Sequence, residues 1–164
     1  MIKALFLLAA SLLAVQVPFV AADVIPEGSA AHFFSSQNSS LVFGPQSVAA
    51  KASLVAQLAG DGSSNDRTAL FATFGTGVPG QIAFGDLCIT ANGVEPESSS
   101  QTLYVDECSD DPKQLWTVNA DPQTVSNADG NCITLGRAWT DVPVTLGECN
   151  DVLQHLQLWN PIVV

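Results

Sequence analysis

Cys132 to Trp159 reads CITLGRAWTDVPVTLGECNDVLQHLQLW, and Cys88 to Trp116 reads CITANGVEPESSSQTLYVDECSDDPKQLW. Both stretches open on Cys-Ile-Thr and close on Gln-Leu-Trp. Both carry a second cysteine behind a glutamate, at Glu107-Cys108 and Glu148-Cys149. The two openings stand 44 positions apart and the two closing tryptophans 43. A matched set of this length and period means one supersecondary unit copied along the chain.

One period upstream of Trp116 lies Ala69-Leu70-Phe71, where Phe71 is the expected counterpart of the tryptophan. Leu54-Val55-Ala56-Gln57-Leu58 then answers to Leu103-Tyr104-Val105-Asp106-Glu107, with Ala59 in the place of a cysteine. Three copies, at about 25–80, 81–125 and 126–164, fill the chain beyond its first segment and leave no room for a second domain.

The local signals are those of strands. Leu103-Tyr104-Val105, Trp116-Thr117-Val118, Thr124-Val125, Cys132-Ile133-Thr134-Leu135 and Val142 to Leu146 are short apolar or β-branched runs between turn residues. Spacings near ten residues suggest an all-β sandwich or barrel. Asp129-Gly130 is a tight-hairpin dipeptide, and Gly85-Asp86 and Asn92-Gly93 are further turn signals. Ser47 to Leu58 is ambiguous, because its alanines favour helix while Ser53 to Leu58 alternates as a strand does. The upstream copy selects the strand.

A repeat of this length, with a cysteine pair and a closing Gln-x-Trp, resembles the ricin B-type lectin domain. The chain is also similar to small secreted fungal proteins of that kind. The resemblance is specific over Gly85 to Pro161 and suggestive over Ile25 to Phe84. It implies a β-trefoil, three four-stranded units about a pseudo-threefold axis. Four cysteines allow three pairings; the resemblance implies Cys88–Cys108 and Cys132–Cys149, one bridge within each repeat. It also implies that Trp116 and Trp159 plug a common core, with Gln114 and Gln157 fixing turn backbone. A large aromatic at a repeated position suits that role better than sugar stacking.

The family's sugar pocket is altered. Thr90 and Thr134 stand where an aspartate is expected, Asp106 and Gly147 where a stacking aromatic is, and Lys113 and Leu156 where an asparagine is. A hydroxyl lacks the charge-assisted hydrogen bonding of a carboxylate. Galactose binding at the usual sites therefore does not follow. A replacement site is expected in the third repeat, on Thr134, Trp139, Asn150, Asp151 and Gln157. There Trp139, beside Arg137 and Asp141, stacks on a pyranose; the competing reading folds Trp139 down over its own hairpin.

Composition narrows the partners. The chain has 164 residues, a net charge of −11 and only five Lys+Arg. So acidic a chain lacks the basic stripe that phosphate contacts need, which argues against nucleic acid and anionic membranes. Met1-Ile2-Lys3, the apolar run from Ala4 to Val15 and the small residues before Asp23 read as a signal peptide over 1–22. The run is too short to span a bilayer. A secreted domain over 23–164 follows, with no membrane span, its cysteines oxidised and Asn38-Ser39-Ser40 a glycosylation sequon.

No enzyme, cofactor or metal site is expected. His32 and His155 have no partner histidine for zinc, and no Gly-x-Ser-x-Gly elbow is present. Glu95 and Glu97 are too close to serve as paired glycosidase acids. The acidic run Asp106 to Asp111 lacks the spacing of a calcium loop and reads as a solvated turn. The leading expectation is a secreted carbohydrate-binding protein whose partners are glycans or glycoproteins. The rivals are a protein-binding trefoil such as a protease inhibitor, using the loops Gly60–Arg67 and Gly93–Gln101, and a secreted structural or effector protein that binds no sugar.

Overall fold

The computed structural model describes residues 25–91 and 101–164. The leader at 1–22, the Asn92-Gly93 turn, Glu95, Glu97 and the loop up to Gln101 lie outside the described residues. Twelve strands follow one another in three sets of four. The first set is β1 (Ser29–Ser35), β2 (Leu41–Pro45), β3 (Leu54–Leu58) and β4 (Leu70–Ala72). The second is β5 (Ile82–Phe84), β6 (Leu87–Ala91), β7 (Gln101–Glu107) and β8 (Trp116–Val118). The third is β9 (Val125–Asn127), β10 (Asn131–Leu135), β11 (Val144–Glu148) and β12 (Trp159–Val163). The described helices are a 3-10 turn at Pro112–Gln114 and one α-turn, α1, at Gln154–Gln157. The ambiguous stretch is strand from Leu54 onward.

All pairings are antiparallel, and the strands join into one sheet, β3-β2-β1-β4-β5-β6-β7-β11-β10-β9-β8, with β12 beside β1. The middle two strands of each set form a hairpin in the same register. Val42 faces Gln57, Cys88 faces Asp106, and Cys132 faces Gly147. The hairpins also touch one another, through the bridges Ser53–Tyr104 and Val55–Pro143 and the pairing of Thr145 with Thr102. The outer strands are linked by two further contacts. Gly80 bridges Trp116, and the Trp159 amide donates to the Gln123 carbonyl at 2.7 Å.

Two hairpin tips repeat in atomic detail. The Lys51 amide donates to the Val105 carbonyl, and the Val105 amide returns a bond to Ala52. In the third set Asp141 and Val142 make the same two bonds with Ala56. Among the described residues, Lys51 and Asp141 are the two non-glycine residues with positive φ, 67° and 62°, at equivalent places in the two tips. Left-handed backbone is unfavourable for a side chain larger than glycine, so its recurrence marks a conformation imposed by the fold.

The core is built from the inward residues of each set. Strand alternation sends Phe43, Ile89 and Ile133 inward from β2, β6 and β10, all fully buried. Trp116 and Trp159, at the starts of β8 and β12, are buried and donate from Nε1 to the carbonyls of Ile89 and Ile133, both at 2.8 Å. Here the structure corrects the sequence reading. Leu70, fully buried at the start of β4, takes the tryptophan's place; Phe71 stands 43% exposed on the outer face. A one-residue slip on a strand exchanges its two faces. The first set offsets its smaller Leu70 with Phe43, where the others have isoleucine. Phe43 stacks on Phe33 at 4.9 Å and meets the edge of Trp159 at 4.8 Å. Trading volume between neighbouring core positions in this way keeps the interior filled.

Candidate functional site

The cysteines pair as Cys88–Cys108 and Cys132–Cys149. Each bridge ties the second residue of a hairpin's first strand, β6 or β10, to the segment leading to its Gln-x-Trp. Beside each bridge a glutamine does the same by hydrogen bonding. Gln157 Nε2 donates to Thr134 Oγ1 at 3.0 Å and to the Glu148 carbonyl at 2.8 Å, while its Oε1 accepts the Asn150 amide at 3.1 Å. Gln114 repeats all three bonds with Thr90, Glu107 and Ser109. Thr134 and Thr90 each also donate to the carbonyl two residues back.

These bonds decide what the expected third-repeat residues can offer. Thr134 and Gln157 are adjacent, but both are buried and their polar atoms are spent on each other and on backbone. Asn150 is close to Gln157 and exposed, with its Oδ1 accepting the Val152 amide at 2.7 Å; Asp151 is exposed beside it. Trp139 is elsewhere. It lies in the tip between β10 and β11, whereas Asn150 follows the opposite end of β11. Four strand steps at ~3.3 Å place the two ends about 13 Å apart. The five residues are therefore not one pocket.

Trp139 itself is 66% exposed, with the Arg137 guanidinium 5.8 Å from its ring centre. It is not folded down over the hairpin; Ala138, its neighbour, is what packs against the core. The matching position in the first tip is Ala49. The indole is thus an addition to the shared tip.

The first set contains a polar network that sequence reading missed. Val42 and Gly44 stand where the other sets have cysteine and threonine, as the hairpin registers show. A Cβ on Gly44 would lie 2.7 Å from Gln57 Nε2, so the Gln57 side chain occupies the space of the missing threonine. Thr68 stands two before Leu70, where the others have glutamine, and its Oγ1 accepts the Gly60 amide at 3.0 Å, as Gln114 and Gln157 accept from Ser109 and Asn150. Asp66 completes the network. It accepts from Thr68 Oγ1 at 2.6 Å, the amides of Thr68 and Gly62, and His32 Nε2 at 2.8 Å. Burial opposes its ionisation, but these four bonds together outweigh that and hold the carboxyl well below the usual range. The sequence signal was weak, because His32 lies 34 residues from Asp66. The same bonds anchor the Gly60–Arg67 loop at Gly62 and Asp66, while its other residues are exposed.

The acidic run that begins at the end of β7 is partly engaged. Lys51 hydrogen-bonds Asp106 and lies 4.6 Å over the Tyr104 ring. The hydrogen bond to Asp106 raises the Lys51 pKa and lowers that of Asp106. Among the described residues no group of three or more His, Cys, Asp or Glu is arranged to hold a metal.

A groove of about 580 Å³ lies on the outer wall, between exposed Phe71 and the Cys88–Cys108 bridge, with Asp86, Glu107, Thr73 and Gln81 around it. Its signal in the sequence was present but misassigned, since Phe71 was expected inside.

No family model matches the chain, and no curated protein matches it. Among solved structures it is similar to a mosquitocidal holotoxin, described for its structure and mode of action, with a TM-score of 0.61 at 12% identity. The match covers 85% of this chain and 18% of the toxin, so the chain spans under a fifth of that protein's length. At this identity the likeness is one of fold.

Proposed function

We propose that the chain is a secreted β-trefoil of ricin B type that binds carbohydrate through a site unlike the family's usual pocket. The observation that carries the reading is the repeated glutamine constellation: the same three bonds from Gln114 and Gln157, each beside a tryptophan bonded to the Cys-Ile-Thr strand. The linkage of outer strands supports the trefoil. From β1 it runs to β4 and β5, by Gly80–Trp116 to β8 and β9, by Gln123–Trp159 to β12, and back to β1. A six-stranded ring capped by three hairpins would make such a circuit. The two disulfides, and the lack of a long apolar helix among the described residues, are compatible with secretion.

Thr134 and Gln157 hold the turn, and the sugar contact belongs to Trp139. An exposed indole on a fixed tip stacks on a pyranose face, while Arg137, Thr140 and Asp141 offer polar atoms around it. A glycan array with the secreted protein tests the reading. Binding to a defined glycan set is expected, with signal falling about tenfold in Trp139→Ala, as loss of a stacking anchor implies. A blank array at high protein concentration, with the fold intact by circular dichroism, overturns it.

A further inference from the structure

We propose that the groove between Phe71 and the Cys88–Cys108 bridge is a second site, and that it takes a protonated amino sugar: a glucosamine residue or a short oligomer of it. The choice of a sugar rests on the carbohydrate reading; the site and its charge preference rest on the groove itself.

Phe71 is the outward residue of β4, between buried Leu70 and Ala72. Its cross-strand neighbours are Ala30 on β1 and Ala83 on β5, both too small to cover the ring. The outward residues at the same place in β8 and β12 are Thr117 and Asn160. An aromatic is thus kept on the wet face of one unit only, where polar residues serve in the other two. The volume of about 580 Å³ lies within the ~300–1,000 Å³ of small-ligand sites.

The opposite wall carries the exposed carboxylates of Asp86 and Glu107. The salt bridges among the described residues are His32–Asp66 and Lys51–Asp106, so neither Asp86 nor Glu107 is paired with a cation there and both are left to a ligand. The wall is rigid. The Cys108 amide donates to the Asp86 carbonyl at 3.0 Å, Gln81 Nε2 donates to the Ser109 carbonyl at 2.7 Å, and the disulfide closes the corner. A preformed site loses less on binding than one that must be ordered. An aromatic face opposite two carboxylates carried on a held backbone matches a pyranose whose C–H face stacks and whose ammonium group pairs with the acids. A neutral sugar uses the ring alone, and an anionic one is repelled.

Glucosamine tetramer and its fully N-acetylated counterpart are titrated into the secreted protein by isothermal calorimetry and amide NMR at about pH 6, where an amine of ordinary pKa keeps its proton. The glucosamine tetramer is expected to bind at least tenfold more tightly, to weaken with added salt, and to shift resonances of Phe71, Thr73, Asp86 and Glu107. Phe71→Ala and the pair Asp86→Asn with Glu107→Gln should each reduce affinity about tenfold, while Val48→Ser, at an exposed residue outside the groove, leaves it unchanged. Equal binding of the two tetramers, no binding, or shifts confined to the Trp139 tip overturns the proposal. If neutral glycans still bind through Trp139 in that case, the carbohydrate reading stands without this site; if neither binds, both fall.

Discussion

At the scale of single residues, the chain repeatedly solves one problem: a segment crossing the end of a hairpin has backbone groups that need partners. Gln114 and Gln157 solve it with a side chain that donates twice and accepts once. Truncating Gln157 to alanine leaves a buried hydroxyl and a part-buried carbonyl and amide short of partners, so Gln157→Ala is expected to lower stability by about 2–4 kcal/mol. Urea unfolding measures this; a change within error would mean that water replaces the amide. The first set uses Thr68 and Asp66 instead, and there the solution depends on pH. The folded Asp66 pKa lies below its unfolded value of ~3.9. Its contribution is therefore present in full above that value and is lost as pH falls toward the folded pKa. Asp66→Asn should be less stable than the parent by about 2–3 kcal/mol at neutral pH, and the gap should narrow as pH drops below ~4. Thermal unfolding from neutral pH down to about pH 3 follows it; a gap constant with pH would place the cost in packing rather than charge.

At the scale of elements, strand register decides which residue faces the core. Leu70→Ala is expected to cost about 2–5 kcal/mol, as large-to-small core changes do, while Phe71→Ser should fall within about 0.5 kcal/mol as a surface change does. The opposite order would restore Phe71 to the core. This is where the sequence was least legible. In the second and third sets a Cys-Ile-Thr strand, a cysteine and a Gln-x-Trp fix the register at several points, and the disulfides and buried tryptophans stand where those marks imply. In the first set all such marks are gone. Leu70 and Phe71 are both apolar, and side-chain size pointed to the wrong one. Thr68 gave no sign of its role, because its partner is the backbone amide of Gly60. Trp139 shows a different limit: Thr134, Asn150 and Trp139 belong to one repeat, but a hairpin carries its tip and its base in opposite directions. The disulfides are tested at this scale too. Replacing Cys132 and Cys149 by serine opens a loop of sequence separation 17 and is expected to cost roughly 3 kcal/mol in the chain-entropy model.

At the scale of the molecule, three similar units share one core, and a net charge of −11 is spread over their surface. The shared core argues for one cooperative transition, since aromatic residues of the first and third sets, Phe43 and Trp159, are in contact. The charge opposes compactness. With 16 acidic residues against five Lys+Arg, most carboxylates can have no cationic partner, and repulsion between them favours the expanded chain. Added salt screens that repulsion over distances beyond ~10 Å at 0.1 M. It also weakens Lys51–Asp106, but an exposed pair of this kind contributes little. Repulsion therefore dominates the salt response, and the melting temperature should rise as sodium chloride goes from about 0.01 to 0.3 M. A gain of about 1 kcal/mol would appear as roughly 2–4 °C for a domain of this size. Calorimetry across the salt series checks both points at once: a single transition moving upward is expected. A second, low-temperature transition would mean that one unit, the first without its bridge, melts apart from the others.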